Sequence, residues 1–73
     1  MKTYVTFGQD HIHKIDEIIF DKDCVAVIDG MDQTHGRKIA VETFGMKFCT
    51  TYTEESWDGS MLHYFPRGFV ELN

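Results

Sequence analysis

The chain has 73 residues, 42% of them apolar, and a formal net charge of −5 from 12 acidic and 7 basic side chains. These figures exclude a second domain, which would need at least ~50 residues of its own, and a membrane-spanning helix, which needs ~20 consecutive apolar residues. One Trp, three Tyr and six Phe against a single Pro argue against disorder, and the acidic balance disfavours a sequence-independent grip on a nucleic-acid backbone.

Residues 1–73 are therefore expected to fold as one domain with a radius of gyration of about 11 Å. Lys2 to Phe7 is rich in Thr, Tyr, Val and Phe and reads as a strand. Gly8 marks a bend. His11 to Ile15 alternates polar with apolar, and Asp16-Glu17 is a turn into the short strand Ile18-Ile19-Phe20. Asp21-Lys22-Asp23 is a second polar turn. Cys24-Val25-Ala26-Val27-Ile28 has no polar alternation, which predicts a central strand covered on both faces.

Met31 to Gly45 carries the one helical pattern. Asp32 and Thr34 are both suited to the N-cap. Ile39, Ala40, Thr43 and Phe44 make an apolar stripe, and Gly45 sits where a left-handed C-cap glycine belongs. Gly36 weakens the start of this helix on propensity. Lys47 to Thr53 is another strand, followed by the polar segment Glu54 to Ser60 around Trp57. Met61 to Phe65 fits either a helical turn or an extended segment. Pro66-Arg67-Gly68 is a turn, and Gly68 to Leu72 closes the chain as a strand. The expected class is α+β: a small antiparallel sheet of about five strands, with one short helix packed on one face. The other face is expected to be open to solvent or covered by a partner.

Met1-Lys2-Thr3-Tyr4 runs straight into a strand, with no charged segment, apolar core and cleavage site, so the expected location is the cytoplasm. Cys24 and Cys49 are too few for a disulfide scaffold and read as small buried hydrophobes. A domain this small has little stability in reserve, and a homodimer is one way to add some.

His11 and His13 stand two apart, so on a strand they share a face and could hold a metal ion if His35, His63, Asp10 or the acidic turns completed the set. Against this, the pair also suits the solvent face of a strand, and no spacing matches a closed structural site. Nucleophilic catalysis finds no GxSxG elbow and no thiol in an electropositive setting, and a small sheet offers little concavity, so the chain is expected not to be an enzyme and to need no cofactor. Phosphate-binding glycine loops are absent. Tyr4, Phe7, Phe48, Tyr52 and Phe69 could stack nucleobases, but core packing explains them better, so direct nucleic-acid binding is not expected.

Eight of the 12 acids fall into two groups, the turns between Asp10 and Asp23 and the segment Glu54, Glu55 and Asp58 around Trp57, while Asp29 and Asp32 follow the central strand. Solvation is one reading of them. The other is a negative patch that docks on a basic partner surface. Trp57, with Tyr64 and Arg67 nearby in sequence, is then the anchor, since Trp, Tyr and Arg dominate binding energy. Trp57 as a lid over one end of the core is the competing reading.

The runs Tyr4-Val5-Thr6-Phe7-Gly8-Gln9, His11 with His13, Phe20 to Ile28, Gly36-Arg37 and Tyr64-Phe65-Pro66-Arg67-Gly68-Phe69 carry a resemblance that extends over most of the chain. In these the chain resembles small proteins of phages, prophages and other mobile elements of bacteria that have no assigned activity. The resemblance implies a setting, the bacterial cytoplasm during phage infection or lysogeny, and carries no functional residues. By analogy with other small acidic proteins of that setting, it implies an inhibitor of a host enzyme or defence complex, anti-CRISPR proteins being one class. The sequence thus predicts a protein-binding module that works through Trp57, Glu54, Glu55, Asp58, Tyr64 and Arg67. A metal-binding protein using His11 and His13 is the alternative.

Overall fold

A computed structural model describes residues 1–72; Asn73, the last residue of the expected domain, lies outside the described residues. The elements in chain order are β1 (Lys2–Thr6), β2 (His13–Ile15), β3 (Ile18–Phe20), β4 (Cys24–Asp29), helix α1 (Gln33–Phe44), β5 (Thr50–Thr53), a 3-10 helix (Gly59–Tyr64) and β6 (Gly68–Glu71). The class is α+β, as the sequence predicts. The sheet is mixed, however. Four strands run in the order β5-β1-β4-β6, and β2 and β3 form a separate two-stranded sheet. β1 pairs antiparallel with β4 and β5, while β4 and β6 are parallel. The radius of gyration is 11.0 Å.

Since β4 and β5 both oppose β1, they point the same way, and α1 crosses one face of the sheet to join them. β6 shares that direction, so the chain from β5 must also cross over to reach the far edge. It does so on the opposite face, through residues 54–67. Each face is thus covered by the chain itself, which corrects the expectation of an open or partner-covered second face.

The helix face holds the main core. Val5, Phe7, Cys24, Ala26 and Ile28 from the sheet side meet Phe20, Ala40 and Phe44, all at most 3% exposed. Phe44 lies edge-on to Phe7 at 5.0 Å and to Phe20 at 5.6 Å, the tilted geometry aromatic pairs prefer. Alternation along β1 and β4 sends Tyr4, Val25 and Val27 to the other face. There Tyr4, Tyr52, Phe65 and Phe69 surround the Trp57 ring at centroid distances of 5.2, 5.3, 6.4 and 5.8 Å.

Helix α1 starts on Asp32, whose carboxylate accepts from the His35 amide at 2.8 Å. It ends at Gly45, with φ at 66°. Its buried residues are Gly36, Ala40 and Phe44, spaced four apart. Gly36 is therefore the closest point of approach to the sheet. A β-carbon there would collide with Thr3 Oγ1 and lie 2.9 Å from Thr3 Cβ. Its cost in helix propensity is offset by letting α1 sit against β1.

Candidate functional site

The crossover is held on both sides of Trp57 by polar contacts. Ser56 Oγ accepts from the Thr53 amide at 2.9 Å and its own amide donates to Thr53 Oγ1 at 3.0 Å, closing the turn after β5. The Lys2 amide donates to Glu54 Oε1, which ties the turn to β1. Asp58 caps the 3-10 helix by accepting from the Ser60 amide at 3.0 Å and the Ser60 hydroxyl at 2.9 Å. These two hydrogen bonds to the charged form hold the Asp58 carboxyl below the usual carboxylate range.

Trp57 is half-buried and lies inside the aromatic cluster, with its indole Nε1 buried and unpaired among the described residues. It covers the second face in the manner of a lid. Glu54, Glu55 and Asp58 are exposed around it. Tyr64 is 75% exposed and, among the rings of the described residues, pairs only with His63, at 5.7 Å. The large ring exposed on this segment is thus Tyr64, while Trp57 packs inward.

Arg67 is elsewhere. Strand register puts Glu54 beyond the Thr3–Thr53 end of the sheet, on edge strand β5, and Arg67 beside the Cys24–Gly68 end, on edge strand β6. Three strand spacings and a strand length of about four residues separate these corners by roughly 20 Å. Arg67 donates to Asp21 Oδ1 at 3.3 Å, and its amide donates to Asp23 O at 2.9 Å. The six residues named from sequence therefore divide: Glu54, Glu55, Trp57, Asp58 and Tyr64 lie within the crossover, and Arg67, at its far end, sits against the Asp21–Asp23 turn.

His11 precedes β2 and His13 opens it, so they do not share a strand. The His13 ring packs 4.9 Å from Phe44 and 5.8 Å from Phe7, and its Nε2 donates to Lys47 O at 2.7 Å. That nitrogen is committed to a backbone carbonyl. Among the described residues, no three His, Cys, Asp or Glu side chains gather as a metal site. Cys24 is buried, as expected, and desolvation pushes its thiol up from the usual value. Cys49 is exposed, contrary to expectation, because it precedes β5 and lies outside the core.

The sequence reading also missed an open depression of about 500 Å³ lined by Glu17, Ile18, Ile19, Asp21 and Arg67. Its signal was present in part, as two consecutive isoleucines in a three-residue strand cannot both point into one core. Among the described residues, no helix is long and apolar enough to cross a membrane. Compared with known proteins, the chain matches no family model, no curated protein and no solved structure.

Proposed function

We propose that this chain is a non-enzymatic protein-binding module whose contact surface is the outer side of the crossover, with Tyr64 as anchor and Glu54, Glu55 and Asp58 as an acidic rim. The observation that carries the reading is Tyr64 itself, a large aromatic ring 75% exposed on a segment whose other aromatics pack inward. A Tyr ring brings contact area at low entropic cost, and rim acids raise the association rate with a basic surface. Trp57 supports this surface from beneath. The resemblance to mobile-element proteins supports the setting, a bacterial cytoplasm, and the role, an inhibitor that occupies a host enzyme or defence complex.

The test is capture from a bacterial lysate on two baits, the wild-type chain and Glu54→Lys/Glu55→Lys/Asp58→Lys, each shown to be folded by circular dichroism. A protein held by the first and lost at least tenfold from the second supports the reading. Equal capture on both baits, or no capture beyond a blank resin, refutes it.

A further inference from the structure

The β2–β3 hairpin presents an unpaired strand edge at the depression described above. Ile15 and Ile18 flank the two-residue turn Asp16-Glu17 as partners, and Lys14 pairs with Ile19 one step further. Antiparallel ladders alternate, and the pair that closes a two-residue turn exchanges both hydrogen bonds. The Lys14–Ile19 pair is then the non-bonded kind, so the N–H and C=O of Ile19 point away from β2. No second strand of the described residues pairs with β3, and no turn or loop backbone group among them bonds to Ile19. Ile18 and Ile19 are 38% and 45% exposed. One donor and one acceptor thus lie on the open edge of β3, and Ile18 and Ile19, on opposite faces of the hairpin, both line the depression.

Charge selects the occupant. Self-pairing of two copies of β3, antiparallel about Ile19, would set Glu17 of each copy opposite Asp21 of the other. Like charges placed directly opposite destabilise a strand pair. Lys14 and Arg67, which pair with Glu17 at 3.2 Å and Asp21 at 3.3 Å, are exposed or partly exposed and shield these acids only weakly. A segment with an apolar residue opposite Ile19 and basic residues two positions to either side meets both acids favourably.

We propose that the β3 edge docks an extended segment of a partner protein by strand addition, the segment having the pattern basic-x-apolar-x-basic. Main-chain bonds to Ile19 give the register, and the pocket side chains Ile18 and Ile19 with Glu17 and Asp21 give the selectivity. This surface is separate from the crossover surface.

The probes are two end-capped pentapeptides, Lys-Thr-Val-Thr-Lys and Glu-Thr-Val-Thr-Glu, titrated into the 15N-labelled chain. The lysine peptide is expected to shift the amides of Ile18, Ile19 and Phe20 and to slow hydrogen exchange at Ile19, with at least tenfold tighter binding than the glutamate peptide. Glu17→Lys, a change at an exposed turn position, should cut the preference at least tenfold in a variant shown to be folded by its 15N spectrum. Glu54→Lys/Glu55→Lys/Asp58→Lys should leave peptide binding unchanged, so that either surface can fail without the other. Shifts scattered away from β3, equal binding of both peptides, or no binding overturns the proposal. A concentration-dependent dimer with Ile19 protected in the free chain overturns it too, by assigning the edge to a second copy.

Discussion

Gly36→Ala sets two effects of opposite sign against each other. In an isolated helix the change would stabilise by about 1 kcal/mol, because Gly is the poorest helix former after Pro. Here the added methyl would lie 2.9 Å from Thr3 Cβ, with Thr3 Oγ1 closer still, where carbon atoms prefer about 3.5–4.0 Å. Thr3 is 3% exposed and sits on an inner strand with partners on both sides, so it has nowhere to swing. Overpacking of this kind costs about 1–3 kcal/mol, towards the upper end for a pinned β-branched neighbour. The net expectation is a loss of about 1–2 kcal/mol, and for a domain of this size each kcal/mol moves Tm by about 4–8 °C. Thr3→Ala removes the colliding Oγ1, itself a buried hydroxyl without a partner among the described residues. The double mutant should recover about 1 kcal/mol relative to additivity. Urea unfolding of the four chains measures this. A stabilised Gly36→Ala, or strict additivity, would refute the close approach of α1 to β1.

Two further outcomes follow from local geometry. Asp16 and Glu17 both have positive φ, 50° and 69°, the backbone of a type I′ turn that favours Asn-Gly. Glu17→Gly should raise stability by about 0.5–1 kcal/mol in the same urea assay, since the exposed Lys14 pair it removes contributes little. Native protein should react with a thiol reagent at Cys49 alone, and Cys24 should become reactive only in denaturant. Mass spectrometry that finds two modified thiols on the native chain would contradict the burial of Cys24.

The elements legible in the sequence are those with a local cause. The apolar run of β4 needs cover on both faces, and the structure gives it Ala26 and Cys24 on the helix side, Val25 and Val27 on the other. The ends of helix α1 are legible as Asp32 or Thr34 at the start, of which the structure uses Asp32, and Gly45 at the close, because capping is a matter of a few neighbouring atoms. What stayed hidden depends on distant partners. Gly36 looks like a weak helix residue until Thr3, 33 positions earlier, is placed beside it. The parallel pairing of β6 with β4 follows from a crossover over the second face, which has no local sequence sign. The same crossover turns Trp57 inward and leaves Tyr64 out. A Trp among acids looks the same in sequence whether it faces solvent or a sheet. Arg67 follows Tyr64 closely in the chain, yet the turn into β6 carries it to the Asp21 corner.

The division of labour between Trp57 and Tyr64 is the centre of the account, and the affinity of the captured partner for two variants tests it most directly. Tyr64→Ala should weaken binding at least tenfold while leaving the urea midpoint near that of wild type. Trp57→Phe should lower the midpoint, because it thins the cluster of Tyr4, Tyr52, Phe65 and Phe69, and leave the affinity of the folded protein unchanged. The reverse pattern, with affinity lost on Trp57→Phe and kept on Tyr64→Ala, would contradict it.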